Sequence, residues 1–273
     1  MELSEDEPPG SLFKYRSIPK TPDEQERLRK LIVEGALYHA KQEQLNDPFD
    51  CIPVWVHDAG KNVLRDWADQ QVTERGFAKH KRSEERDKLL NRASQPGYWD
   101  RLWRKMVQNF GVFSASAAWD VALMWAHYAD NFRGICVELA LKQNYQNTSN
   151  IHHLPIKVTY SRNRVGLSVR AMLKRQQQGE VSLQQAAQAF ASKSSDWDYE
   201  AEWRLIRSFR NDLDGRTTHF GAHVVRSVIL GPLITPEDEE LIRGWVEGVD
   251  EAVRARVRKS RLHETEYRVV VDE

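Results

Sequence analysis

The chain has 273 residues, and its 40 lysine and arginine residues are balanced by 40 aspartate and glutamate residues. This length is enough for a large buried core, and the balanced charge provides no net field that would attract nucleic acid or a membrane. No apolar run approaches the ~20 residues that a membrane-spanning helix needs, and the acidic start is not typical of a secretory signal. Two cysteines, Cys51 and Cys136, fit a reducing compartment. We therefore predict a soluble, cytoplasmic protein.

The N-terminal segment offers the first candidate binding residues. Residues 1–10 are acidic and proline-rich, which predicts disorder. Residues 12–17 are then expected to form a short strand. Lys14, Tyr15 and Arg16 on this strand could hold an anion or a flat ring.

A helix with clear start and stop signals follows. Thr21, Pro22 and Glu24 predict a capping box with proline in the first turn. Gly35 is expected to end the helix, because glycine tolerates the left-handed conformation found there. Residues 36–40 then predict a strand.

The next segment is a turn followed by a charged helical region. Residues 46–50 contain the turn formers Asn46, Asp47 and Asp50, which we interpret as structural rather than as ligands. Residues 54–110 are predicted to be mainly helical, as an insertion in the domain.

The centre of the chain has the best-defined pattern, a strand at 112–116, a helix at 117–130 and a strand at 134–139. Ser116 is a candidate cap for the helix, and Gly134 is expected to permit the turn after it. Apolar residues at helical spacing predict the face that packs on the sheet: Val121, Ala122, Trp125 and Ala129.

The C-terminal half predicts further strands and helices. Strands are expected at 154–160, 203–208, 225–230 and 267–271, two helices between 165 and 191, and a capped helix after Thr235. The predicted fold class is α+β, a central mixed or antiparallel sheet with packed helices. Residues 11–273 are expected to form one domain.

An acidic pair stands out near one of these strands. Alternation places Glu200, Glu202 and Arg204 on one face of a strand. They could line a polar site, or they could form an ion-pair ladder with Lys14 or Arg16.

Four blocks together resemble a bacterial family of unknown function, DUF2971. The resemblance implies a bacterial or phage-borne intracellular domain whose activity the family name does not state. The blocks are residues 12–17, 46–50, 123–129 and 199–204.

A more distant resemblance is to the ADP-ribosyltransferase fold. It rests on residues 113–116, a helix containing 126–129, and the strand led by Gly134. The resemblance implies that NAD is bound by a strand serine, by a helix aromatic and by an N-terminal strand. It also implies that a late Glu-x-Glu strand supplies the catalytic carboxylate.

These patterns lead to one main prediction and two alternatives. The main prediction is a nucleotide-handling enzyme with an ADP-ribosyltransferase-like core, acting as a defence or toxin effector, with an unspecified protein or nucleic-acid acceptor. Glu202 is the expected catalytic carboxylate, Glu200 positions the acceptor, and His127 is either an acid/base or a structural histidine bonded to Asp120. The alternatives are a non-catalytic nucleotide- or protein-binding sensor, and a metal-dependent nuclease using Asp120, Glu138, Glu200, Glu202 and Lys193. Residues expected to hold NAD are Lys14, Tyr15, Arg16, Ser114, Trp125, Tyr128 and Arg204, and no metal site is predicted.

Overall fold

A large sheet organises the fold, with its central strand at the N-terminal end of the chain. The computed structural model describes residues 7–141, 155–177, 183–209 and 215–271. In chain order the strands are β1 (Leu12–Arg16), β2 (Ala36–Tyr38), β3 (Val54–Val56), β4 (Phe110–Ser116), β5 (Ile135–Leu139), β6 (Ile156–Lys157), β7 (Thr159–Ser161), β8 (Gly166–Ser168), β9 (Ser192–Ser194), β10 (Glu202–Ser208), β11 (Thr217–His219), β12 (Val225–Leu230), β13 (Arg256–Leu262) and β14 (Val269–Val271).

Eight of these strands form one mixed sheet in the order β14-β13-β12-β5-β1-β4-β10-β6. Neighbours run antiparallel except β12 and β13, which are parallel. Two-stranded pairs join β2 to β11, β3 to β8 and β7 to β9. The predicted α+β class with a central mixed sheet is confirmed.

Helices cover both faces of this sheet. The two faces of β5 belong to different hydrophobic cores, because side chains alternate along a strand. Val137 packs with the helices at Pro22–Glu34 and Pro236–Glu247, whereas Cys136 packs with Trp125. The helices are α1 (Pro22–Glu34), α2 (Lys61–Glu74), α3 (Arg82–Ala93), α4 (Tyr98–Val107), α5 (Ala122–Tyr128), α6 (Val169–Gln177), α7 (Leu183–Phe190) and α8 (Pro236–Glu247). In the described part of the chain, no helix has the length and apolar character needed to cross a bilayer.

The capped helices lie where the sequence predicts them. Helix α1 ends at Gly35, which adopts φ +58°. The predicted capping box is wrong in detail, because the Thr21 hydroxyl donates to the Glu24 carboxylate and caps no backbone N–H. At α8, the Thr235 side chain accepts a hydrogen bond from the N–H of Asp238.

Helix α5 is shorter than the predicted helix at 117–130. The residues before it pair with the C-terminal strand region instead: Val121 forms a β-bridge with Arg268, and the N–H of Val269 donates to Asp120 O. Ser116 therefore does not cap the helix, although its hydroxyl accepts from the N–H of Ala118. The buried residues of α5 are Met124 and Trp125, while Ala122 is half-buried.

The turn after α5 also differs from the prediction. Asp130, Asn131 and Phe132 adopt positive φ values of 46°, 49° and 69°. Gly134 is required for another reason, because a Cβ there would lie 2.3 Å from Arg16 O. The turn is made by three non-glycine residues, and the glycine permits close approach to β1.

Other predicted boundaries change as well. The helical region expected at 54–110 begins with strand β3, which pairs with β8. Strand β13 was not predicted, because its alternating charges hide its strand character. Of the segment predicted to be disordered, residues 1–6 lie outside the described chain, as does residue 154, and residues 7–10 form neither helix nor strand.

Replacing Trp125 with alanine is expected to destabilise the protein by about 3–5 kcal/mol. Trp125 is 0% exposed, its ring meets Tyr15 edge-on at 5.3 Å, and its Nε1 donates to Trp119 O. The free energy of unfolding measured in denaturant checks this. Leu123→Ala on the same helix is the matched control, because Leu123 is 49% exposed. A loss for Trp125→Ala no larger than for the control would contradict the packing described here.

Candidate functional site

A cavity of about 350 Å³ lies where the sheet opens between β1 and β4. These two strands pair only at Phe13 and Ser116. Farther along, the Lys14 ammonium crosses the gap and donates to Ser114 O at 2.6 Å. The opening exposes side chains of both strands to one cavity, whose volume is in the usual range for small-molecule sites.

The cavity brings together most of the residues predicted as a site. They come from β1, β4, α5, the 3₁₀ turn that precedes β10, and β10 itself. Their chemical roles stay predictions. The predicted site residues that line the cavity are Lys14, Tyr15, Arg16, Ser114, Tyr128, Glu200, Glu202 and Arg204.

Arg204 is the centre of a buried ion cluster. Its side chain is 0% exposed. It donates two bonds to Asp50 at 2.7 Å, two to Glu202 at 2.7 and 2.8 Å, and one to Phe190 O at 2.6 Å. This bidentate geometry on two carboxylates is the strongest arrangement available to a guanidinium. Arg204 therefore holds the cavity floor together and has little capacity left for a ligand.

Lys193 connects this cluster to Glu200. Its ammonium donates to Glu200 Oε2 at 2.5 Å and to Glu202 Oε2 at 3.2 Å. The strand alternation predicted to include Glu200 begins only at Glu202, because Glu200 ends a 3₁₀ turn and Ala201 has φ 43°. This turn lets both glutamates reach the same ammonium.

The two glutamates have opposite electrostatic surroundings. Burial and then the charge of Glu202 raise the pKa of Glu200. Burial also opposes ionisation of Glu202, but Arg204 and Lys193 outweigh it and hold the pKa of Glu202 well below its usual range. Paired carboxylates whose pKa values separate in this way can divide acid and base roles. Glu200 is the one suited to exchange a proton, and Glu202 remains an anion.

Tyr128 brings Glu200 into contact with the loop before β3. The Tyr128 hydroxyl donates to Glu200 Oε1 at 2.5 Å and accepts from the side-chain amide of Asn46 at 2.8 Å. Burial and then this bond to Glu200 raise the pKa of Tyr128. The hydroxyl therefore stays protonated and orients Glu200.

Three further cationic side chains line the cavity, Lys14, Arg16 and Arg27, and none forms an ion pair with a described residue. Burial and then the charge of Arg16 lower the pKa of Lys14 to about 8. Five cationic and three carboxylate side chains line the whole cavity, so its net charge is positive.

Two predicted site residues lie elsewhere. Trp125 is buried among Tyr15, Cys136 and Val269, so it cannot stack on a ligand. His127 is exposed, and its Nδ1 lies 2.9 Å from the Tyr199 hydroxyl. The expected bond from His127 to Asp120 is not present, because Asp120 precedes the start of α5.

The ion-pair ladder expected as an alternative does form, but with other partners. Lys193 pairs with Glu200 and Asp50 pairs with Arg204, whereas Lys14 and Arg16 form no ion pair with a described residue. Asp50 was interpreted as a turn former, and the role of Asn46 was also missed. One signal was present in the sequence: an arginine between apolar neighbours on a buried strand requires carboxylate partners.

The residues proposed for a metal-dependent nuclease do not converge. Glu138 accepts hydrogen bonds from Ser11 and Ser227, away from the cavity lining. Among the described residues, no group of three or more histidine, cysteine, aspartate and glutamate side chains has the arrangement of a metal site.

The comparisons with known proteins identify one relationship. Residues 124–205, less than half of the chain, match the family model described as protein of unknown function (DUF2971). The match includes most of α5 and the Glu200–Arg204 segment, which confirms the resemblance predicted from sequence. No curated protein and no solved structure matches the chain. The likeness to the ADP-ribosyltransferase fold therefore has no support from these comparisons.

Proposed function

We propose that the cavity between β1 and β4 binds a nucleotide and that the protein is a nucleotide-handling enzyme, with NAD as the first candidate substrate. One observation carries this proposal: the cavity is lined both by three cations that form no ion pair with a described residue and by the carboxylates Glu200 and Glu202. A nucleotide offers matching chemistry, with negative phosphates at one part and sugar hydroxyls at another.

The cationic side chains support phosphate binding. Lys14 and Arg16 occupy alternate positions of β1, and Arg27 contributes from α1. Arginine is well suited to phosphate because its planar donors match the phosphate oxygens. Burial of Lys14 strengthens its attraction for an anion, because less water screens the charge.

The carboxylates support chemistry at a sugar carbon. A carboxylate beside the glycosidic bond to nicotinamide stabilises the positive charge that develops as this bond breaks. Glu200 is positioned by Tyr128 and Lys193, and its raised pKa suits proton transfer. We therefore assign the acid/base role to Glu200 and an anchoring role to Glu202.

The non-catalytic sensor is the second candidate. The observation in its favour is that Glu202 and Arg204 are fully engaged with each other and with Asp50 and Lys193. Such a cluster could form a rigid wall for binding alone. The role as a defence or toxin effector stays a proposal from the family resemblance.

Incubation of the pure protein with NAD and a cell lysate, with and without magnesium, separates these functions. Release of nicotinamide that is about 10²–10³-fold slower with Glu200→Gln supports the enzyme. Saturable NAD binding without release would favour the sensor. Magnesium-dependent loss of nucleic acid without NAD turnover would contradict both and favour a nuclease.

The affinity for a phosphate-bearing ligand is expected to fall as pH rises above about 8. Lys14 has a lowered pKa of about 8, so it is protonated below this pH and loses its charge above it. Dissociation constants for NAD, measured from near neutrality to about pH 9.5, should increase by up to about tenfold per pH unit. Lys14→Met should remove this dependence. A steep dependence that persists in the variant would exclude Lys14 as its cause.

A further inference from the structure

A second, larger cavity of about 1040 Å³ adjoins the first. The two share Asn46, Asp50 and Lys193 as lining residues. Its volume is at the upper limit for pockets that bind a single small molecule. The second cavity therefore has room for an extended ligand.

Aromatic side chains form one wall of this second cavity. The ring of His127 lies 5.9 Å from Tyr199 and 6.4 Å from Trp197, and the last two rings are 6.2 Å apart. Lys193 lies over the Trp197 ring at 5.1 Å and the His127–Tyr199 hydrogen bond fixes the other two rings. Trp197 and Tyr199 are half-buried, so this wall presents ring surface that is already ordered.

Two arginine side chains also line the second cavity. Arg162 and Arg164 are exposed between β7 and β8, and neither forms an ion pair with a described residue. The Arg164 guanidinium lies 5.7 Å above the ring of Phe49, which is 63% exposed. These two cations are available to an anion.

None of the three carboxylates that line the second cavity forms an ion pair with Arg162 or Arg164. Asp47 accepts from the N–H of Phe49, and Asp50 is bound to Arg204. Asp196 accepts from the Ser194 hydroxyl. All three carboxylates thus have other partners.

We propose that the second cavity binds a nucleotide unit, with the base stacked on Trp197 and the phosphate held by Arg162 and Arg164. Base stacking on aromatic rings beside arginines is how proteins hold single-stranded nucleic acid. Either a free nucleotide or single-stranded nucleic acid offers a base and a phosphate to these residues. The large cavity volume favours single-stranded nucleic acid. A duplex does not fit this chemistry, because its bases are stacked on each other. This site is independent of the proposed function, since its aromatic and arginine residues do not line the first cavity.

Binding of a short, fluorescently labelled single-stranded oligonucleotide to the full chain tests this proposal. Saturable binding is expected, and its affinity should fall with rising salt. Trp197→Ala and Arg164→Ala should each weaken binding about tenfold. Phe49→Ala removes the exposed ring under the Arg164 guanidinium, so this variant should fold normally and should also weaken binding. Arg104→Ala, a change of an exposed arginine outside both cavities, and Arg16→Ala in the first cavity should leave the affinity unchanged.

Competition distinguishes the two sources of the ligand. Displacement of the strand by adenosine monophosphate at similar concentration supports a free nucleotide at this site, and resistance to it supports a strand. Absence of binding would overturn the proposal. Equal binding of duplex and strand, or affinity that depends on Arg16 instead of Trp197 and Arg164, would also overturn it. Dependence of the affinity on Arg16 would assign the binding to the first cavity and leave the proposed function intact.

Discussion

Replacement of Arg204 with methionine is expected to lower the free energy of unfolding by about 5 kcal/mol or more. Removing one partner of a buried ion pair typically costs about 3–5 kcal/mol, because the other charge remains buried without compensation. Arg204 leaves two such charges, Asp50 and Glu202. Equilibrium denaturation in urea measures the change.

Two further variants keep this prediction testable if Arg204→Met does not fold. Arg204→Lys retains the charge but loses the bidentate geometry, so its loss should be smaller. Replacing all three charges together, as Asp50→Asn, Glu202→Gln and Arg204→Met, should recover part of the stability lost in the single variant. A single variant as stable as the natural chain would show that the cluster is not a buried unit.

Glu200→Gln is expected to lower the rate of nicotinamide release by about 10²–10³ with little change in folding. Glutamine keeps the shape and can still accept from Tyr128 and Lys193, but it cannot exchange a proton. Lys193 retains its second partner, Glu202. Initial rates and melting temperature should be measured on the same preparation.

Glu202→Gln is the matched comparison, because it makes the same change two residues away. It leaves Arg204 and Lys193 with one carboxylate fewer, so stability should fall by about 3–5 kcal/mol. Activity loss in this variant should follow unfolding. If Glu202→Gln is inactive yet fully stable, Glu202 is the catalytic carboxylate and our assignment of the two roles is reversed.

Local patterns were sufficient to predict much of the fold. Strands β5 and β12 are short, β-branched and apolar, and α1 and α8 have start signals that act within a few residues. Strand β13 carries charges along most of its length, and its neighbours in the sheet rather than its own composition stabilise it. Helix α5 is shorter than predicted, because Asp120 and Val121, which precede it, bond to residues 268 and 269 far along the chain.

The site was predictable only in part, for a related reason. The pattern at Glu200, Glu202 and Arg204 was visible because it lies within one short segment. Asp50 is separated from Arg204 by 154 positions, and a local sequence pattern cannot predict a contact between residues so far apart in the chain. The cavity itself depends on the opening between β1 and β4, which is a property of the assembled sheet.

Titration calorimetry of NAD into the full chain and into Lys14→Met/Arg16→Ala is the direct test of a nucleotide site between β1 and β4. Saturable binding to the natural chain is expected, and the double variant should lose at least about tenfold in affinity, because two charged donors to phosphate are removed. Arg104→Ala, which removes an exposed arginine outside the cavity, should bind as the natural chain does. Equal affinity in the natural chain and the double variant, or no binding to either, would contradict a nucleotide site between β1 and β4.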